Sequence, residues 1–114
     1  MAVLTRDQIK DARPKTHKEK VAEWGGEVLL RSMSAANRLT VVQNVKERGN
    51  DDPSIFVDAC QYTLCDETGT LLFNDNGDRE ILEAKECEVI ERLGQRALEI
   101  SGLGPDAAES AEGK

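Results

Sequence analysis

The sequence predicts an α+β domain, a small antiparallel β-hairpin or sheet packed against about three to five α-helices, with a disordered acidic C-terminal tail. Three observations predict it. The pair Gly25-Gly26 stands between a polar extended stretch and the apolar run Val28-Leu29-Leu30, the mark of a hairpin. Apolar residues recur at helical spacing within 35–48, 53–65 and 87–102, with capping residues before them and glycines after two of them. After Leu103 the chain reads "GPDAAESAEGK", with no large apolar side chain, so it cannot offset the entropy of ordering. At 114 residues there is material for one modest core, assigned to a single domain over residues 1–103, with residues 104–114 as a flexible tail.

The elements follow in order. Thr5 caps a short helix, "RDQIKDA", with Asp7 in the first turn, and Pro14 closes it. The charged "KTHKEKVA", residues 15–22, has too few apolar residues for a core helix and fits an edge strand whose lysines discourage unwanted pairing. Gly25 and Gly26 then supply positive φ to a two-residue turn, and "EVLLRSM" is the return strand. Trp24, beside the turn, is expected to cover one end of the core rather than to stack on a ligand. Ser34 caps a helix whose apolar positions are Ala35, Leu39, Val42 and Val45, stopped by Gly49.

Asp52 before Pro53 opens the next helix, in which Phe56, Cys60 and Leu64 share a face; it is expected to be the central buried helix, ending in the turn Asp66–Gly69. "TLLF" follows as a short extended piece, in which Leu71, Leu72 and Phe73 cannot all face one way. Asp78 is expected to cap a further helix. The last helix carries Ile90, Leu93, Ala97 and Ile100 on one stripe and ends at Gly102. The expected core is Val28, Leu30, Leu39, Val42, Phe56, Cys60, Leu64, Leu93, Ala97 and Ile100.

Charge narrows the function. Fifteen Lys and Arg stand against 22 Asp and Glu, a net −7, which disfavours binding to a nucleic-acid backbone. The longest apolar runs, "VLL" and "LLF", fall far short of a membrane span. The opening "MAVLTRDQIK" breaks into charge at Arg6 and does not read as a leader, so a cytoplasmic protein is expected. Cys60, Cys65 and Cys87 are odd in number and without a CxxC, which fits reduced thiols packed as small apolar groups better than disulfides or zinc.

No cofactor is expected. In "LFNDNGDREILE", Asn74, Asn76 and Glu83 match positions of a calcium loop built around Gly77, but Leu72 stands where the first carboxylate belongs and Arg79 where a backbone carbonyl should serve. A polar turn is the better reading. His17 has no partnered Ser or Cys, no phosphate-binding glycine motif occurs, and Asp58 and Asp66 flank Cys60 and Cys65, the wrong sign for a reactive thiolate. The chain is expected not to be an enzyme.

The order of the pieces says more. An "LTRDQI" opening, then "VAEWGGEVLLRSMSAANR", then a helix running into "CDETGTLLF", then "ERLGQRALEISGL" and an acidic tail resembles the tail assembly chaperones of long-tailed bacteriophages, also called minor tail proteins. The resemblance covers about residues 1–103. Its most specific parts are "EWGGEVLLRSMSAANR" and the turn Asp66, Glu67, Gly69 and Phe73. Two features depart from the pattern: Ala22 stands where proline commonly precedes the Glu-Trp pair, and "KTHKEK" is unusually polar for a first strand.

The resemblance implies a protein of the host bacterium's cytoplasm that holds the long, helical tape measure protein soluble, helps recruit tail tube subunits and is absent from the virion. It also implies that a ribosomal frameshift near "AAESAEGK" can append a second domain. Apolar stripes of helices are held in apolar grooves, and a net −7 keeps the carrier soluble. Self-association is a further expectation, since assembly favours repeated weak contacts. Trp24, Leu30 and Leu72 are the candidate partner-binding residues. Two other readings compete: a small binding or regulatory module with a pocket near Trp24, and a calcium-dependent domain using the loop from Asn74 to Glu83.

Overall fold

The computed structural model describes residues 3–49, 52–75 and 77–103. The tail expected at 104–114 lies outside the described residues, as does Asn76 of the loop before the fourth helix. Five helices and a three-stranded antiparallel sheet make up the domain, so the α+β expectation holds.

Helix α1 spans Arg6–Asp11. Thr5 accepts a hydrogen bond from the Gln8 backbone N–H while the Gln8 side chain accepts one from Thr5 N–H, a complete capping box. Yet α1 buries no residue. Strand β1, Thr16–Val21, pairs antiparallel with β2, Gly26–Arg31, in the register His17 to Leu30 and Val21 to Gly26. The connection is not the two-residue Gly-Gly turn. It is a four-residue loop in which Ala22–Trp24 form one 3-10 turn and Gly25 alone takes positive φ, 75°. A loop built on an ordinary right-handed turn needs only one left-handed residue to rejoin the strand. Gly26 begins β2.

Alternation fixes the two faces of the sheet. Val21, Val28 and Leu30 face the core, while Lys18, Lys20 and Leu29 lie on the other side. Strand β3, Leu64–Cys65, pairs with Leu29 and Leu30, making β2 the central strand. Leu71 adds an isolated bridge to Cys65, and Phe73 packs on the core. The three neighbours Leu71, Leu72 and Phe73 thus divide, with Leu72 left exposed.

Helix α2, Ala35–Arg48, is capped by Ser34, whose hydroxyl accepts from Asn37 N–H, and stops at Gly49. Its buried residue is Val41, with Val45 packed beside it. Leu39, expected in the core, is 65% exposed. Asp52 caps α3, Pro53–Gln61, through Ser54 N–H, and α3 is the central buried helix: Ile55, Val57, Asp58, Ala59 and Cys60 are all buried. It ends earlier than expected, because Leu64 belongs to β3.

Helix α4, Asp78–Glu83, starts after Gly77. Asp78 is its first residue rather than its cap, and its carboxylate accepts from Asp75 N–H, closing the preceding loop. Helix α5, Cys87–Ile100, buries Val89, Ile90, Leu93, Gly94 and Ala97. It ends in a Schellman arrangement: Gly102 N–H donates to Glu99 C=O and Leu103 N–H to Leu98 C=O.

The core has two parts that meet at α3. One gathers Val21, Leu30, Val57, Cys60, Leu64, Leu82, Val89, Ile90 and Leu93, the other Met33, Val41, Ile55, Ala59 and Ala97. Gly94 lets α3 and α5 meet closely, since a Cβ there would fall 2.7 Å from Phe56 Cβ.

Candidate interaction surfaces

The hairpin is clamped to α5 by charge. Arg92 donates through both terminal nitrogens to the two carboxylate oxygens of Glu23, each at 2.9 Å, and Arg96 Nε donates to Glu19 at 2.7 Å. The bidentate bond from Arg92 holds the Glu23 carboxyl well below the usual range, at about 2. Trp24 follows Glu23 in this corner but is not swallowed by it: 36% of its surface is exposed. The expectation that Trp24 closes one end of the core is therefore met only in part.

The other candidates separate. Leu30, expected as a contact residue, is 0% exposed. It lies on the core face of the central strand, covered by helices on one side and flanked by β1 and β3, and presents no surface to a partner. Leu72 is 52% exposed. Its N–H donates to Leu64 C=O, beside the Leu30–Leu64 pair, whereas Trp24 lies beyond Gly26 at the opposite end of β2. Four residues of strand put about 13 Å between those ends. Trp24 and Leu72 are thus two exposed points and not one patch.

The turn at Asp66 is built by its own side chain. The Asp66 carboxylate accepts from Thr68 N–H, Thr68 Oγ and Thr70 N–H, and these bonds, the Thr68 hydroxyl first, hold its pKa below the usual range. Gly69 has φ 87° and lies against Pro14, while its C=O accepts from Arg31 Nη1. With Phe73 on the core, the Asp-Glu-x-Gly-x-x-x-Phe stretch anchors the N-terminal segment to the sheet. Its work is architectural.

The loop from Asn74 to Glu83 is not arranged for calcium. Arg79 turns inward to the buried carboxylate of Asp58, which also accepts from Asn44 Nδ2 at 3.0 Å. That cluster ties α2, α3 and α4 together. Among the described residues no group of three or more His, Cys, Asp or Glu side chains is placed to share a metal ion. Burial pushes the Cys60 thiol up to about 12 and raises that of Cys65, so neither is a poised nucleophile. Cys87, expected to be packed with them, is exposed at the start of α5.

A groove of about 430 Å³ opens between α3, α4 and α5. Phe56, Val57, Leu82 and Ile90 line it, and Glu83, Lys85, Cys87 and Glu91 stand among them. Trp24 takes no part in it. Sequence reasoning missed this groove, because its walls come from three helices whose mutual placement is tertiary. Among the described residues no helix is long and apolar enough to cross a membrane.

Comparison with known proteins gives one firm point. No family model and no curated protein sequence matches the chain. Among solved structures it is similar to that of the bacteriophage HK97 tail assembly chaperone, at 26% sequence identity and a TM-score of 0.59, over 82% of this chain and 90% of that one. The likeness thus takes in nearly the whole of the other chain, and this protein carries a tail-assembly-chaperone-like fold.

Proposed function

We propose that this protein is a bacteriophage tail assembly chaperone that works in the host cytoplasm, binds the tape measure protein through apolar contacts and helps recruit tail tube subunits. The observation that carries the reading is the structural likeness to the HK97 chaperone over 90% of that chain, at 26% identity. The exposed apolar side chains of Trp24 and Leu72 support it as contact points, now without Leu30. A net −7 suits a carrier that must keep an aggregation-prone helical partner in solution. No catalysis is part of the reading: His17 lies half-buried on β1, and Cys60 is held protonated by burial. The alternative of a pocket near Trp24 gains no support, since the groove lies elsewhere.

Co-expression tests the proposal. The wild-type chain is expected to turn an otherwise insoluble tape measure protein soluble and to co-purify with it in low and high salt. Trp24→Asp and Leu72→Asp should each weaken co-purification while leaving the circular dichroism spectrum unchanged. Removal of residues 104–114 should matter less. Failure to associate at either salt concentration would remove the mechanism.

A further inference from the structure

The N-terminal segment is folded but unattached. Helix α1 has a complete capping box, and Leu4 and Ile9 occupy the positions immediately before the cap and on the fourth helical residue, the pair that packs as a hydrophobic staple. Both nevertheless remain open to solvent, Leu4 at 60% and Ile9 at 61%. A six-residue helix is marginal alone in water, and this one gains nothing from its own core. Its local devices prepare a short apolar knob for a surface outside the described fold.

The groove between α3, α4 and α5 is the complementary surface. Its floor is apolar, and its volume of about 430 Å³ is ample for two aliphatic side chains, given that roughly 150 Å³ already accepts a benzene-sized ring. Charge matches as well. Residues 3–15 carry four Lys or Arg against two Asp, whereas residues 78–91, which include α4 and the start of α5, carry six acidic side chains against two basic. Glu83 and Glu91 stand at the groove itself, and Arg6 and Lys10 flank the knob. Within one chain, Pro14 pins the base of this segment to Gly69, at the turn after β3.

We propose that the groove is occupied by the Leu4–Ile9 knob of a second copy of this chain. The contact uses two different patches, so each copy offers one knob and one groove, and copies add head to tail. It involves neither Trp24 nor Leu72, and it stands or falls apart from tape measure binding.

Sedimentation of the full chain tests this. The wild-type mass should climb past the dimer as concentration rises. Ile9→Asp, at an exposed position, should weaken self-association by about tenfold or more, as should the pair Glu83→Lys and Glu91→Lys at the groove. Both variants should keep the wild-type circular dichroism spectrum. Mixed in equal amounts, a chain with a dead knob and a chain with a dead groove should form a dimer and stop there. In a Val3→Cys chain, mild oxidation should link the new thiol to the exposed Cys87 of a neighbour and give a ladder of species. A wild-type chain that stays monomeric, a mixture that fails to pair, or a bridge confined within single chains would each overturn the proposal. So would loss of tape measure capture by Ile9→Asp with self-association untouched.

Discussion

Gly94→Ala should destabilise the domain, although an alanine in the middle of a helix ordinarily stabilises by about 1 kcal/mol relative to glycine. The new Cβ would lie 2.7 Å from Phe56 Cβ and 2.8 Å from Phe56 Cα. Carbon atoms rest at about 3.5–4.0 Å, so nearly 1 Å of separation has to be found. Because Phe56 Cα is backbone, no change of rotamer can provide it, and α3 must move away from α5 along the most extensive helix pair of the fold. Overpacking costs about 1–3 kcal/mol, and a clash with backbone belongs at the upper end. Subtracting the propensity gain leaves a net loss of about 2 kcal/mol, a fall in Tm of roughly 10 °C for a domain of this size. Thermal melting followed by circular dichroism at 222 nm measures it. Gly26→Ala is the control: nothing lies within 4 Å of a Cβ there, and φ is not positive, so Tm should barely move. A Gly94→Ala protein that melts at or above the wild-type temperature would refute the close-approach reasoning.

Arg79→Met leaves the buried Asp58 carboxylate with Asn44 as its remaining side-chain partner and should cost about 2–3 kcal/mol, seen as a lower urea midpoint; an unchanged midpoint would mean that water screens the pair. Gly25→Ala places a side chain at φ 75° and should cost about 1 kcal/mol in thermal melts, unlike the same change at Gly26. Glu23 is depressed from 4.5 to about 2 by its bond from Arg92, so its contribution is complete above 4.5 and lost as pH falls through 2. The Tm gap between wild type and Glu23→Gln should accordingly be open at pH 7 and close between pH 4.5 and 2; a gap that widens in acid contradicts the assignment. With a maleimide under native conditions, Cys87 should react quickly and Cys60 and Cys65 only on unfolding, so more than one fast thiol would place the burial of the other two in error.

The helix starts were legible because capping is local: Thr5, Ser34 and Asp52 each bond a backbone N–H two or three residues on, and the sequence alone displays that spacing. Element faces were less so. Helix α2 carries apolar residues around much of its circumference, and Val41 rather than Leu39 is buried because the neighbouring α3 lies on that side. Strand β3 escaped notice since two residues show no period, and its pairing with Leu29 and Leu30 spans more than thirty residues. Leu30 was misjudged as a contact residue because a run of three apolar residues does not reveal which of them meets the core; alternation across a central strand decides that. Gly94 looked like an ordinary glycine within a helix, and only the position of Phe56 gives it a purpose.

The two arginine clamps on the hairpin have a kinetic consequence. Glu23 and Arg92 are 69 residues apart in sequence, and Glu19 and Arg96 are 77 apart. Closing loops of that length is entropically costly before any contact rewards it, whereas the β1–β2 hairpin closes over four residues. The clamps therefore form on the native side of the folding barrier, after the hairpin and the α3–α5 pair have met. Interactions placed there slow escape from the folded state and leave the rate of reaching it almost unchanged. The α5 arginines act as a latch on a door that shuts without them.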